Sequence, residues 1–316
     1  MAADAFRILF VDDVHPALTE RLALLPHVEI DYQPQISPEA VAAALRTADG
    51  LVVRSKVYLD AHLLAAAPRL KFIARAGAGM DNIDEAVANS LGIRLFNAPE
   101  GNRQAVAEHV LGMLLTLFNK LREADASVRA GIWDREGHRG LELQGKTVGL
   151  IGYGNNGQAT ARLLHAFGCK VLAYDKFKTG FSDAFVKEAS LEQLFEKAEI
   201  LSLHLPLTSE SRGMVNADFL GAFERLQWVV NAARGEILVL ADLVAKLEAG
   251  KLKGACLDVL ENEKPASWNR ELMERLKAHK GVILSPHIAG WSVESYRKIS
   301  EVLADKLLAE FFVDFR

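Results

Sequence analysis

The chain has 316 residues, of which 50% are hydrophobic and 25% charged, a balance that supports about two folded domains and argues against disorder. Its net charge of −4, from 37 basic and 41 acidic side chains, lacks the basic footprint of a nucleic-acid partner. Two cysteines, Cys169 and Cys256, exclude a disulfide scaffold and a cysteine-rich metal module and fit a cytoplasmic setting; no apolar run reaches membrane-spanning length, and Met1-Ala-Ala-Asp4 has no leader pattern, so neither membrane nor secretion is expected.

From the start, short β-rich apolar runs alternate with helical segments. Strands are predicted at Arg7–Val11, Val28–Tyr32, Leu51–Arg54, Phe72–Ala74 and Ile93–Phe96. Helices are predicted near Ala17–Leu25, from Ser37 as N-cap to about Ala48, near Leu59–Ala66 and over Asp84–Ser90. This rhythm marks a parallel sheet wrapped by helices. It breaks at Asn97-Ala-Pro-Glu-Gly101, a turn-rich junction. One long helix is predicted from about Asn102 to Arg129, with Val106, Val110, Met113, Leu114 and Leu117 at helical spacing, then a charged loop over Trp133–Gly145. Alternation restarts with strands at Thr147–Ile151, Lys170–Ala173, Ile200–Leu205, Trp228–Asn231, Ala255–Val259 and Val282–Ser285, and a last helix over about Val293–Phe312. These are two α/β units. The second lies inside the first if the final helix packs back on the N-terminal unit, which pattern alone does not decide.

The sharpest motif is Gly152-Tyr153-Gly154-Asn155-Asn156-Gly157, between a predicted strand and a predicted helix. Gly152 permits a tight turn, Gly154 lets the backbone approach a pyrophosphate, and Gly157 lets helix and strand pack closely. The helix N-terminus then presents free N–H groups to the anion. Asp175 ends the next strand, where a carboxylate accepts ribose hydroxyls and repels a 2′-phosphate. This favours NAD over NADP, against the pull of Lys176 and Lys178. A second turn, Gly77-Ala78-Gly79, is either a small-anion nest or a plain tight turn.

Polar residues collect at strand ends, where open α/β sheets bind ligands. His204, Arg234, Asp258, Glu263 and His287 all fall there. A dehydrogenase needs such a set: a histidine to take the hydroxyl proton as hydride leaves, a carboxylate to fix its tautomer, and a guanidinium fork for a substrate carboxylate. Each alone reads as a surface charge at a strand end; it is their coincidence at one edge that points to function. His109, inside the long helix, reads as packing or a domain contact.

Together with Arg75-Ala-Gly-Ala-Gly-Met-Asp-Asn-Ile-Asp84, Ala105-Val-Ala-Glu-His109, His204-Leu-Pro-Leu-Thr208, Asn231-Ala-Ala-Arg-Gly235, Leu257–Glu263 and Ser285-Pro-His287, these motifs make the chain resemble the D-isomer-specific 2-hydroxyacid dehydrogenases, and within them the phosphoglycerate dehydrogenases. The resemblance implies two doubly wound parallel-sheet domains with the active site between them: a flavodoxin-like substrate domain of residues 1–98 plus 291–316 and an inserted Rossmann NAD-binding domain of residues 99–290. It implies a catalytic trio of Arg234, Glu263 and His287. Cofactor contacts would fall on Gly152, Tyr153, Gly154, Asn155, Asn156, Gly157, Asp175, His204, Pro206, Ala232, Asp258 and Ala289, with Asp258 at the nicotinamide carboxamide. Substrate contacts would fall on Ala78 and Gly79 through their N–H groups, on Asn102, and on Arg54 and Arg75 for a phosphate, unless those arginines are structural. Arg135 could serve the same phosphate across a dimer. No metal is implied. A homodimer through the 102–129 helix is.

The implied reaction is NAD-dependent oxidation of 3-phosphoglycerate to 3-phosphohydroxypyruvate, as in serine biosynthesis; the alternatives are reduction of glyoxylate or hydroxypyruvate, or D-lactate chemistry. Trp291 departs from the family in place of a small residue, as do Leu260, Glu236 and Lys264-Pro265, and these departures bear on substrate. The chain stops at the last helix, so no C-terminal regulatory module, and no inhibition by serine through one, is expected. An NAD-sensing corepressor of the same fold would keep the trio, but would be expected to add peptide-binding features and disordered tails.

Overall fold

The apolar runs of the first hundred residues become five short strands joined by helices: β1 (Phe6–Phe10), α1 (Pro16–Leu22), β2 (Val28–Tyr32), α2 (Pro38–Leu45), β3 (Gly50–Val53), α3 (Ala61–Ala65), β4 (Phe72–Arg75), α4 (Glu85–Ser90) and β5 (Arg94–Asn97). The computed structural model describes residues 5–312. Met1–Asp4, searched above for a leader, and residues 313–316, the end of the expected substrate domain, lie outside the described residues. The five strands are parallel, in the order β2-β1-β3-β4-β5, which is the flavodoxin-like arrangement. Side chains alternate across this sheet. Phe6, Ile8 and Phe10 join one core with Phe72 and Phe96, while Leu9 and Val11 join the other with Leu51, Val53 and Ile73. Burial on both faces is why these strands carry continuous apolar runs.

The single helix expected over 102–129 is two, α5 (Pro99–Phe118) and α6 (Leu121–Arg129). Lys120 between them is left-handed, with φ 49°. The Phe118 carbonyl, which a continuous helix would pair with residue 122, instead accepts the Leu141 N–H at 2.9 Å. A long-range partner ends the helix where the apolar spacing alone continues.

The second sheet follows: β6 (Thr147–Ile151), α7 (Asn155–Ala166), β7 (Lys170–Tyr174), β8 (Lys187–Glu188), α8 (Leu191–Lys197), β9 (Ile200–Leu203), α9 (Ala217–Gly221), β10 (Trp228–Asn231), α10 (Leu240–Glu248), β11 (Gly254–Leu257), α11 (Arg270–Ala278) and β12 (Val282–Leu284). Its strands are parallel in the order β8-β7-β6-β9-β10-β11-β12. Counted from β6 this is the Rossmann order 3-2-1-4-5-6 with one strand added, and the order reverses between β6 and β9. One face is covered by α5 through Val106, Val110, Met113 and Leu114, the other by Leu194, Leu243, Leu247 and Met273.

The final helix, α12 (Val293–Lys306), opens on a capping box of Ser292 and Ser295. It ends before the expected Phe312, in a wider π turn over Leu307–Phe311. It packs on α1, with Ile299, Leu303 and Leu307 in one core with Leu18 and Leu22, and with Arg21 and Asp305 paired at 2.8 Å. The chain therefore divides into one unit of Met1–Asn102 and Trp291–Arg316 and a second of Arg103–Gly290. Among the described residues no helix is long and apolar enough to cross a membrane.

Candidate active site

The glycine turn after β6 is built for a close ligand. Gly152 has φ +94°, and a Cβ there would strike the His204 carbonyl. A Cβ on Gly157 would strike the Gly152 carbonyl, whereas one on Gly154 would meet nothing within 4 Å, so that side of the turn is open. Helix α7 begins with Gly154 as N-cap and no side-chain cap, leaving its first N–H groups for an anion. The buried Oδ1 of Asn156 has no hydrogen-bond partner. Asp175, just after β7, accepts the Tyr153 N–H at 2.8 Å and the Phe177 N–H at 2.9 Å, which ties the turn to the end of that strand. Lys178 donates to the Tyr153 carbonyl at 3.0 Å and Lys176 pairs with Glu210, so both nearby cations have protein partners. The ring of Tyr153 is stacked on Phe181 and buried, and its backbone N–H and carbonyl both have protein partners. These features fit a dinucleotide without a 2′-phosphate.

Further along the same edge, His204 follows β9 with Nε2 3.0 Å from the Ser202 hydroxyl. Burial pushes its pKa down from 6.5 to about 4, so the ring is neutral near pH 7. The Pro206 carbonyl accepts the Ser211 hydroxyl at 2.7 Å. Ala232 is half-buried and Ala289 buried.

Arg234 follows β10 on a turn braced by a buried asparagine. The Asn231 side chain donates to the Arg234 carbonyl at 2.9 Å and accepts the Ala233 N–H at 3.1 Å. The Arg234 guanidinium donates to the Ala233 carbonyl at 2.6 Å. Next to it, Gly235 touches the 260–261 backbone so closely that any Cβ would overlap Leu260. This contact sets the Arg234 turn against the segment that leads to Glu263. Glu263 Oε1 lies 2.7 Å from His287 Nδ1, and both side chains are about half exposed, at 49% and 44%. The imidazole is thus held through one nitrogen while Nε2 remains for chemistry.

His287 has φ +54°, a left-handed conformation that costs a non-glycine residue about 1–3 kcal/mol. Asp258 supplies what holds it there. Its carbonyl accepts the His287 N–H at 2.7 Å, and its carboxylate accepts the N–H groups of Ile288 at 2.9 Å and Ala289 at 2.8 Å. The same carboxylate accepts the Ser285 hydroxyl at 2.6 Å, and His109 on α5 lies 2.8 Å from that hydroxyl. Desolvation alone would raise the Asp258 carboxyl, but the hydrogen bonds from His109, Ser285, Ala289 and Ile288 outweigh it and hold the pKa at about 2. The side chain is wholly enclosed, so its carboxylate has no open face for the carboxamide contact expected of it; it braces the His287 turn instead. His109 is more than packing, because it extends this network.

The other unit carries the remaining expected residues. Arg54 follows β3, and Arg75 ends the neighbouring strand β4. The N–H groups of Arg54 and Lys56 donate to the Asp12 carboxylate at 2.6 and 3.3 Å, and the Arg54 guanidinium lies 4.2 Å from the Trp291 ring centre. Arg75 folds over Gly77, where its guanidinium fills the place of a Cβ. Ala78 and Gly79 form a half-buried turn held by Asn97, which donates to the Ala78 carbonyl at 2.7 Å. Among the described residues their N–H groups have no acceptor. The Asn102 Oδ1 is buried without a partner. No cluster of metal-ligating side chains occurs among the described residues.

Sequence reasoning missed Asn231, Ser285 and Asp12, whose work is to brace backbone. Asn231 and Ser285 stand at strand ends beside expected residues, and that position was the available signal.

A family model described as the NAD binding domain of D-isomer specific 2-hydroxyacid dehydrogenase matches residues 111–289. The chain is similar to a hydroxypyruvate reductase of Thermotoga maritima, 36% identical over 284 residues that cover 90% of this chain and 89% of the relative. It is equally similar to a D-3-phosphoglycerate dehydrogenase of Mycobacterium leprae, 36% identical over 298 residues, covering 92% of this chain but 55% of the relative. The chain thus spans about half the length of that second relative. Among solved structures, a D-lactate dehydrogenase of Aquifex aeolicus in complex with NAD and lactic acid superposes with a TM-score of 0.83 at 26% identity, covering 98% of this chain and 97% of that one.

Proposed function

The chain belongs to the D-isomer-specific 2-hydroxyacid dehydrogenases, an NAD-dependent oxidoreductase family, and from that membership we propose that it interconverts 3-phosphoglycerate and 3-phosphohydroxypyruvate. In this reading Met1–Asn102 with Trp291–Arg316 is the substrate-binding unit and Arg103–Gly290 the NAD-binding unit. NAD would be held at the Gly152–Gly157 turn and by Asp175, and would supply the hydride acceptor for oxidation of the alcohol carbon and, reduced, the hydride donor for the oxo carbon. His287 accepts the hydroxyl proton through Nε2 in oxidation and gives it back in reduction. Glu263 keeps the ring in that tautomer from Nδ1, 2.7 Å away. Arg234 binds the substrate carboxylate and polarises the C2 oxygen, and the N–H groups of Ala78 and Gly79 offer the carboxylate two further donors.

The observation that carries the phosphate is Arg54, a half-buried cation with no ion pair among the described residues. A hydroxypyruvate reductase is the reading favoured by the full-length match to the Thermotoga maritima relative. Steady-state kcat/KM with NADH separates the two. 3-Phosphohydroxypyruvate is expected to exceed hydroxypyruvate and glyoxylate, and Arg54→Ala is expected to cut that value about 10–150-fold by removing a charge-assisted contact. A preference of the unmodified protein for glyoxylate or hydroxypyruvate would overturn the phosphate assignment and leave the family activity standing.

A homodimer through residues 102–129 and a cytoplasmic setting belong to the same reading. Exposed Leu121, Val128, Ile132 and Trp133 in and just after α6 support the first.

A further inference from the structure

Arg54 sits in an aromatic clamp. Its guanidinium carbon is 4.2 Å from the Trp291 ring centre and 5.5 Å from that of Tyr296. Two carboxylates lie near it, Asp12 and Asp13. Asp12 accepts the N–H groups of Arg54 and Lys56 at 2.6 and 3.3 Å, and Asp13 is taken by tyrosines: Oδ1 accepts the Tyr32 hydroxyl at 2.8 Å and Oδ2 accepts the Tyr296 hydroxyl at 2.7 Å. Among the described residues, the one hydrogen bond from the guanidinium goes to the Asp13 carbonyl at 3.5 Å, the outer limit of such a contact.

A planar guanidinium stacks through its faces and donates through its edge. Stacking therefore leaves the N–H fork for an anion and removes rotamer freedom that anion binding would otherwise have to remove. The tyrosine hydroxyls on Asp13 act in the same direction, because they satisfy the acid that would otherwise draw the fork away. Trp291 is 66% exposed, so it holds little core together.

We propose that Trp291 is a specificity-determining residue that positions Arg54 as a flat, pre-oriented fork for the anionic distal group, phosphate or carboxylate, of a 2-oxo acid substrate. The inference rests on the reading of Arg54 given under the proposed function. It is tested by measuring kcat and KM with NADH for 3-phosphohydroxypyruvate, oxaloacetate and glyoxylate in the unmodified protein, Trp291→Ser and Trp291→Phe. Loss of the ring is expected to raise KM about 3–30-fold for the substrates with an anionic tail, with kcat within about twofold and glyoxylate unchanged. Trp291→Phe, which keeps a ring face, is expected to restore most of the effect. The response of 3-phosphohydroxypyruvate against oxaloacetate separates phosphate from carboxylate. A KM that stays constant for the tailed substrates, or that rises equally for glyoxylate, would overturn the role of Trp291. A glyoxylate preference in the unmodified protein overturns only the phosphoglycerate reading, since the oxaloacetate-to-glyoxylate KM ratio still decides the role of Trp291.

Discussion

Glu263 Oε1 lies 2.7 Å from one nitrogen of His287, Nδ1, and the proton transfer proposed for the other makes the pair testable as a unit. Removing general acid/base help costs about 10²–10⁴ in rate. His287→Ala is expected to lose turnover on that scale while NADH binding, followed by fluorescence titration, stays near that of the unmodified protein. Glu263→Gln should lower kcat more than it raises KM. An unchanged kcat would remove Glu263 from the chemistry. His204 offers a different test. Burial lowers its pKa from 6.5 to about 4, so between those values the unfolded chain binds a proton that the folded chain refuses, and stability falls as pH drops through that window. In His204→Gln the loss of unfolding free energy between pH 7 and pH 4.5, from urea titrations, is expected to shrink by about 2 kcal/mol. Equal losses in both proteins would mean that the ring is not desolvated.

Among the elements, two turns do most to position the site. The turn between β6 and α7 is tied down by Asp175 through the Tyr153 N–H. Asp175→Ala is expected to weaken NADH binding by about tenfold or more and to narrow the gap to NADPH; equal NADH and NADPH affinities in the unmodified protein would refute the role of this carboxylate in cofactor choice. The turn after β12 is held left-handed at His287 by Asp258, with Ser285 supplying a third donor to the carboxylate. Ser285→Ala removes a hydrogen bond to a charged acceptor, worth about 1.5–3 kcal/mol. Unfolding by urea should register that loss, and kcat should fall because the strained turn is less firmly held. A stable variant with full kcat would show that the backbone donors suffice.

For the whole molecule, the return of α12 to the first unit explains why the first and last segments share one hydrophobic core, with Leu303 fully buried beside Leu18. The exposed apolar side chains of α6 point to self-association. Light scattering is expected to give twice the chain mass for the unmodified protein, and the chain mass for Leu121→Glu combined with Val128→Glu. A monomer at the outset would set the dimer aside.

The sequence by itself determined the strand-helix alternation and the glycine turn, and it set Arg234, Asp258 and His287 just beyond strand ends. Each of these is local: a strand's apolar run, a turn's glycine spacing and the residue just beyond a strand end are set by covalent neighbours, and parallel strands bring all their C-terminal ends to one edge. Tertiary structure alone decided the break at Lys120, the network of Asp258 with Ser285 and His109, and the stacking of Arg54 on Trp291. His109 and Ser285 are 176 residues apart in sequence, and no periodicity records such a pair. Their meeting follows from α5 packing across the sheet whose edge carries Ser285. A hydrogen bond between distant side chains exists only once the apolar layers beneath them have been stacked.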